Sequence, residues 1–200
     1  MDAEQTRPGF DPLVEFEGVW TTELAKQYLP IPGAPPTKYE CVDGHLIMSP
    51  RENTRNVWAT GVLYRHFFDP AREAGYLTYL PVNLEFDFRN WIEPDLLVLR
   101  PPVKGLNFVP VELLVLPVEL VSPSSRDRDY AEKPARCARA GVPYFMQVEI
   151  DGDDMLVNLL QLHGDRYVHA VEPGRAGRKF EAELPFRMSF DPADLLEPGD

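Results

Sequence analysis

The feature that most constrains the fold is a pair of apolar segments joined by a helical one. Residues 112–122, ELLVLPVELVS, are the most apolar strand-like run of the chain, and VPYFMQVEI at 142–150 is a second such run. Between them lie a polar loop and a predicted helix near 128–140, which Gly141 ends. A strand, a helix and a strand in this order indicate a parallel βαβ unit inside a mixed sheet. We therefore predict an α/β or α+β fold with a central mixed β-sheet flanked by helices.

The length of the chain is consistent with a single domain. Its 200 residues suffice to bury a sizeable core, and a hydrophobic content of 44% is too high for a disordered protein. Prolines and a glycine break any periodicity near the start, whereas the last ten residues, DPADLLEPGD, contain four acids and no base. We expect a loose N-terminal lead at 1–18, one domain at 19–190 and an acidic C-terminal tail at 191–200.

Several shorter elements are predicted from local patterns. The clearest is a hairpin at YECVDGHLIM, where Asp43-Gly44 suits a two-residue type I′ turn. Before this hairpin, residues 21–30 are predicted to form a short helix, which Thr21 or Thr22 can cap. The remaining predictions are a helix at 57–75 with a break at Pro70, a strand at 78–88 with an edge or bulge at Pro81, a buried strand at 95–100, and a hairpin of 155–162 with 166–172.

Sequence features that direct a chain into or across a membrane are missing. There is no apolar run of 18 or more residues, and the acidic N-terminus lacks the apolar core of a secretory signal. Two cysteines, Cys41 and Cys137, have neither the number of a disulfide framework nor the spacing of a zinc site. We expect a cytoplasmic protein with two reduced, partly buried thiols.

The charge balance restricts what the protein can bind. With 20 Lys and Arg against 32 Asp and Glu, the net charge is −12, and the average field repels a polyanion. Binding of nucleic acid would need a local basic surface or a metal ion. Residues 126–140 supply a weak basic segment, with five cations against three acids.

Two carboxylates occur where the surrounding residues are apolar. Asp95 opens DLLVLR directly after Pro94, and Glu119 lies inside LPVELVS. Burial of an unpaired carboxylate is costly, so such residues usually bind a cation or pair with a base. The alternative for Glu119 is a side chain that faces solvent or an arginine, and for Asp95 it is a turn residue.

Together, Asp95 and Glu119 match the layout of a hydrolytic Mg²⁺ site. Hard carboxylate oxygens suit this ion, which polarises a phosphoryl oxygen and activates water. Lys133, in the following cationic segment, is the candidate for stabilising developing negative charge. Its alternative is an ordinary solvated helix lysine that pairs with Asp129, four residues earlier.

The ordered set of motifs resembles a known family. IEPDLLVLR, VELVSPSSRDRDYAEK and AGVPYFMQVE follow one another as in the Uma family, which is grouped with restriction endonucleases in the PD-(D/E)XK nuclease superfamily. The upstream YECVDGHLIMSP is similar to a hairpin of the same family. The resemblance extends over roughly residues 20–150.

The resemblance implies a specific site and activity. Asp95 and Glu119 take the metal-ligand positions for Mg²⁺, or Mn²⁺, in a restriction-endonuclease-like core. The lysine usually found two residues after the Glu is replaced by Val121, and its family counterpart in the next helix is Lys133. Glu40 corresponds to a further acidic member of the site, and its alternative is a hairpin-edge glutamate. The implied activity is hydrolysis of DNA phosphodiester bonds, and analogy with the superfamily suggests a homodimer.

Departures from the family pattern leave alternatives open. Proline disfavours the αR conformation in the residue before it, so the helix could begin at Pro134 with Lys133 pointing away from the site. That arrangement, together with the net charge of −12, favours a second hypothesis, a binding or scaffolding protein that keeps the fold with a weakened site. A third class, an unrelated hydrolase, lacks support because no Ser/His/Asp or phosphate-loop pattern is present.

Overall fold

A computed structural model describes residues 9–35, 37–152 and 154–198. Its α-helices are α1 Pro12–Glu15, α2 Thr22–Tyr28, α3 Thr54–Glu73 and α4 Lys133–Arg139, with a π-helical turn at Arg128–Glu132 and 3₁₀ turns at Val111–Leu113 and Pro192–Leu195. No helix in these described ranges has the length and apolar character needed to cross a membrane.

Thirteen strands are present in the described part of the chain. They are β1 Thr37–Val42, β2 His45–Pro50, β3 Leu77–Tyr79, β4 Asn83–Asp87, β5 Asn90–Ile92, β6 Leu96–Leu99, β7 Phe108–Pro110, β8 Leu114–Val121, β9 Tyr144–Asp151, β10 Asp154–His163, β11 Arg166–His169, β12 Phe180–Ala182 and β13 Met188–Phe190. The described residues divide into two compact units. The first contains residues up to Arg51 together with Asn83–Glu93, and the second contains Glu52–Val82 and the residues from Pro94 onward.

The first unit contains an antiparallel sheet in the order β2-β1-β5-β4. Asp43 and Gly44 join β1 to β2 with φ angles of 53° and 86°, as the predicted type I′ turn requires. Val42 and His45 are the partners that close the hairpin. The local dipeptide therefore determines this turn and the register of the two strands it joins.

The N-terminal lead is more ordered in its second half than its composition indicates. Asp11 caps α1 by accepting a hydrogen bond from the Leu13 N–H, at 2.9 Å. Phe10 and Phe16 pack against Tyr28 of α2, with ring centroids 5.7 Å and 4.9 Å away. Residues 1–8 of the predicted lead lie outside the described residues. The packing of these three aromatic rings explains why the segment folds despite its prolines and glycines.

The second unit contains a six-stranded mixed sheet in the order β11-β10-β9-β8-β6-β3. β8 and β9 are parallel, and every other neighbouring pair is antiparallel. The π-helical turn and α4 connect β8 to β9. This arrangement confirms the predicted mixed α/β fold and its βαβ unit.

The two faces of this sheet have different partners because side chains alternate along a strand. Val118 and Leu120 of β8 and Met146 and Val148 of β9 belong to a large apolar core that includes residues of α3. Glu119 and Gln147 occupy the alternate positions of these strands, and therefore lie on the opposite face. The sequence alternation thus places a polar row on the sheet face away from the main core.

Two local predictions in this region are wrong. The pattern at 78–88 predicts one strand, but β3 and β4 are separate strands because exposed Leu80 and Pro81 interrupt it. The helix predicted to break at Pro70 instead continues through that residue to Glu73. A proline in the last turn removes only one helical hydrogen bond, so the helix tolerates it near its end.

The ends of α3 and of the chain are defined by specific contacts. Gly75, at φ 84°, ends α3 with its N–H bonded to the Arg72 carbonyl. Near the C-terminus, part of the predicted acidic tail forms a 3₁₀ turn, and Leu195 within it is fully buried in the core of the second unit. The tail is therefore packed at this point because it supplies an apolar side chain to the core.

Candidate active site

Asp95 lies just before β6 and Glu119 lies within β8, and these two strands pair in the second unit. Leu96 pairs with Val118 and Leu97 with Pro117 in the antiparallel β6–β8 ladder. Continuing this register by one residue places Asp95 across from Glu119. Directly opposite residues in an antiparallel pair have Cβ atoms about 4.5–5.5 Å apart on one face of the sheet. We therefore expect the two residues to be neighbours across the strand pair, although 24 positions separate them in the sequence.

Asp95 forms hydrogen bonds with β8 on both sides of Glu119, one through its backbone and one through its side chain. The Asp95 N–H donates to the Val118 carbonyl at 3.1 Å, and its Oδ2 accepts a hydrogen bond from the Leu120 N–H at 2.8 Å. Asp95 is only 3% exposed. A buried carboxylate that accepts a backbone N–H is held in one orientation, so Asp95 is a positioned group and not a solvated turn residue.

Glu119 and Lys133 form a buried ion pair. The Lys133 Nζ lies 2.9 Å from Glu119 Oε2 and 3.1 Å from Asp129 Oδ1. Glu119 is 1% and Lys133 7% exposed, and Asp129 is also buried. The alternative prediction for Lys133 is a solvated lysine that pairs with Asp129. The pairing is present, but Lys133 is not solvated. The i,i+4 pair forms, but it is buried and shares its lysine with Glu119.

A π-helical turn determines the direction in which Lys133 points. Lys133 adopts αR geometry, with φ −64° and ψ −46°, although Pro134 follows it. Its N–H bonds to the Arg128 carbonyl, five residues earlier. The wider π turn gives room to the proline ring, which in a regular α-helix would clash with the carbonyl four residues before it. The helix consequently runs through Lys133 instead of beginning at Pro134.

The sequence reasoning missed two polar residues that extend the row across the sheet. Gln147 of β9 is the parallel partner of Glu119, and Asn158 of β10 is the antiparallel partner of Gln147. Both are buried, and the Gln147 Nε2 donates to the Asp129 carbonyl at 2.9 Å. A polar residue at an alternating position of an apolar strand was the available signal. Its meaning depends on the strand order, which the sequence does not state.

Glu40, the third acid expected at the site, belongs to β1 in the first unit. Its carboxylate accepts a hydrogen bond from the Glu93 N–H at 3.1 Å, and the side chain is buried. Because β1 is paired on both sides, with β2 and β5, Glu40 is not an exposed hairpin-edge residue. Its assignment to the active site stays a prediction.

The charges near Glu119 also affect a neighbouring thiol. Cys137 on α4 is fully buried, and this burial raises the pKa of its thiol far above the usual range. The charge of Glu119 raises the Cys137 pKa further, while those of Lys133 and Arg136 lower it. Cys137 and Cys41 are both free and buried. A thiol with a raised pKa is a poor nucleophile, so Cys137 is not a candidate for nucleophilic catalysis.

The basic segment beside the site is partly neutralised by its neighbours. Arg126 forms an ion pair with Glu149 and lies over the Tyr130 ring, with the guanidinium carbon 5.1 Å from the ring centroid. The Tyr130 hydroxyl donates to the other Glu149 oxygen at 2.6 Å, and burial raises the Tyr130 pKa. These contacts order the start of the helical segment that carries Asp129 and Lys133.

The carboxylates limit how a metal ion could be held. Within residues 9–35, 37–152 and 154–198, no three His, Cys, Asp or Glu side chains form a group able to hold an ion. A metal at this site would therefore rely on the pair Asp95 and Glu119, with water or substrate oxygens as its other ligands. Magnesium is commonly bound in this way, through one or two carboxylates plus phosphate oxygens.

Comparisons with known proteins agree with the resemblance seen in the sequence. The model of the Uma2 family, described as "Putative restriction endonuclease", matches residues 25–191. A similar solved structure is "a putative nuclease belonging to DUF820" from Anabaena variabilis, at 15% identity, 85% coverage of this chain, 95% coverage of that chain and a TM-score of 0.59. At this identity the likeness concerns the fold alone. A comparison with curated proteins gives no significant match. Since the family model spans most of its length, the chain belongs to the Uma2 family.

Proposed function

We propose that this protein is a metal-dependent endonuclease that hydrolyses DNA phosphodiester bonds at the site of Asp95, Glu119 and Lys133. The observation that carries the proposal is the register of β6 with β8, which, continued by one residue, would bring two buried carboxylates close together. A lysine Nζ lies 2.9 Å from one of them. The description of the Uma2 family supports the nuclease class.

Asp95 and Glu119 would hold the metal ion, which we take to be Mg²⁺ or Mn²⁺. When bound, such an ion supplies Lewis-acid polarisation of a phosphoryl oxygen and a more acidic water. The carboxylates fit this role because they are adjacent hard-oxygen donors whose backbone is constrained by the sheet. Their rigidity reduces the reorganisation needed when a charged substrate arrives.

Lys133 has two roles in the proposal. Its contact with Glu119 Oε2 orients that carboxylate, and its ammonium group partly offsets the charge of Glu119 and Asp129. A positive group at this place can also donate a hydrogen bond to a phosphate oxygen that gains charge during hydrolysis. Asp129, held through its carbonyl by Gln147, keeps Lys133 directed towards Glu119.

A second candidate function follows from the same ion pairs. Lys133 already contacts two buried carboxylates, and a compensated ionic cluster can serve structure alone. In that case the chain would be a binding or scaffolding protein with the nuclease fold and a weakened site. The two functions differ in whether the carboxylates are needed for cleavage.

Nicking of supercoiled plasmid with Mg²⁺ or Mn²⁺ tests the proposal. We expect cleavage by the wild type, a loss of at least a hundredfold in Asp95→Asn and Glu119→Gln, and a smaller loss in Glu40→Gln. Glu112→Gln is the matched control, because Glu112 is exposed just before β8. If the wild type cleaves and Glu119→Gln cleaves equally well, the assigned site is wrong. An inactive wild type that still binds DNA would support the binding function.

A further inference from the structure

A cleft on the α4 side of the sheet has no role in the proposed cleavage. It has a volume of about 920 Å³ and lies wholly within the second unit, between the helical segment after β8 and the β10–β11 hairpin. Ligand sites typically enclose about 300–1,000 Å³, so a nucleotide-sized molecule would fit. Gln147 lines the cleft and is also the strand partner of Glu119. The cleft therefore begins next to the candidate active site.

The floor of the cleft carries two buried amide side chains on adjacent strands. Gln147 and Asn158 are cross-strand partners, and both line the cleft. Asn158 is 6% exposed, and it lies at the surface of the cleft. A few polar groups inside a pocket orient the molecule that binds there, so these two amides favour a ligand with complementary donors and acceptors.

The walls and rim supply the other elements of nucleotide recognition. Tyr130 and Tyr167 line the cleft, and their hydroxyls are bonded within the protein, to Glu149 and to the Val142 carbonyl. Three exposed arginines, Arg166, Arg175 and Arg178, line the rim together with Asp165 and Glu172. Arg175 also pairs with Asp154 at 3.5 Å, which leaves Arg166 and Arg178 as the main phosphate-binding candidates. Amides read base edges, aromatic rings stack on bases, and arginines bind phosphate.

We propose that this cleft binds one unpaired nucleotide of a DNA strand, with its base against Asn158 and Gln147 and its phosphate at the rim arginines. The choice of DNA rests on the proposed function, whereas the nucleotide chemistry rests on the cleft itself. A duplex would present only its phosphates to the rim and leave the buried amides unused. The cleft thus selects a single-stranded or extruded nucleotide beside the cleavage site.

Fluorescence anisotropy in EDTA tests binding without cleavage. The probes are a fluorescein-labelled 12-nucleotide single strand of mixed sequence and the matching blunt duplex, each titrated across several salt concentrations. We expect the single strand to bind more tightly than the duplex. Arg178→Ala should weaken single-strand binding about three- to tenfold and reduce the salt slope by about 0.7, as loss of one phosphate contact does. Asn158→Leu should weaken binding with the salt slope unchanged.

Arg187→Ala is the matched control, because Arg187 is exposed outside the cleft. The proposal is overturned if the cleft variants bind the single strand like the wild type. It is equally overturned if the duplex binds as tightly and loses the same affinity in each variant, because that result describes a phosphate patch. Should Asn158→Leu not fold, Arg166→Ala and Arg178→Ala decide the matter. Plasmid nicking is measured separately, so a protein that binds the strand but never cleaves refutes the nuclease function alone.

Discussion

Replacement of Lys133 by methionine removes a cation that contacts both Glu119 and Asp129. At 2.9 Å and an effective dielectric constant of about 20, one such pair is worth about 6 kcal/mol of Coulomb energy. Desolvation of the charges offsets much of this gain. Loss of one partner from a buried pair typically costs about 3–5 kcal/mol, because a buried charge is left uncompensated. We expect Lys133→Met to lower the free energy of unfolding by that amount.

Urea denaturation followed by tryptophan fluorescence and circular dichroism measures this loss at constant pH and salt. Lys104→Met is the matched control, because Lys104 is exposed in the same unit and its replacement should leave the midpoint unchanged. The double variant Lys133→Met with Glu119→Gln should be more stable than the sum of the two single effects, by about 1–3 kcal/mol. If Lys133→Met unfolds at the urea midpoint of Lys104→Met, the buried ion cluster does not exist in solution.

Three further predictions concern other parts of the molecule. Gly44→Ala should destabilise the hairpin by about 1–2 kcal/mol, because Gly44 has φ 86° and a Cβ there would lie 2.6 Å from the Gly18 carbonyl oxygen. An unchanged melting temperature of the variant would contradict this prediction. Cys137 should not react with a thiol reagent until urea unfolds the protein, because it is buried and burial raises the pKa of its thiol. Rapid labelling of the folded protein would show that Cys137 is accessible to solvent and would contradict the prediction. Burial lowers the pKa of His66 in the folded state below 6.5, so the unfolded state binds a proton more readily and His66 lowers the free energy of unfolding as pH falls below about 6.5. A His66→Gln variant should therefore lose less stability at acid pH than the wild type, and identical pH profiles of the two proteins would refute the prediction.

The proposed site explains how an acidic protein could act on a polyanion. Because Lys133 is compensated by Glu119 and Asp129, the cations open to a substrate in this region are the rim arginines of the cleft, in a chain whose net charge is −12. Binding should therefore be short-ranged, because the arginines attract the substrate nearby while more distant acidic groups repel it. It should also be sensitive to salt, because salt screens both the attraction and the repulsion.

Local sequence determined the features that depend on neighbouring residues. Asp43-Gly44 specified its hairpin turn, since few dipeptides accept two positive φ angles. The apolar runs at 112–122 and 142–150, with a helix between them, specified the parallel βαβ unit. The same runs identified Glu119, because a carboxylate inside an apolar strand requires a partner.

Tertiary structure decided the features that depend on register and on helix geometry. The pairing of β6 with β8 brings the chain at Asp95 to the β8 backbone on both sides of Glu119, and a shift of one residue would turn the β6 side chains to the opposite face. The π-helical turn before α4 directs Lys133 onto Glu119 despite Pro134, which sequence rules alone argued against. Gln147 and Asn158 acquire meaning only through the strand order. The sequence thus identifies the residues that need partners, whereas long-range backbone pairing, which local propensity does not encode, determines which partners they obtain.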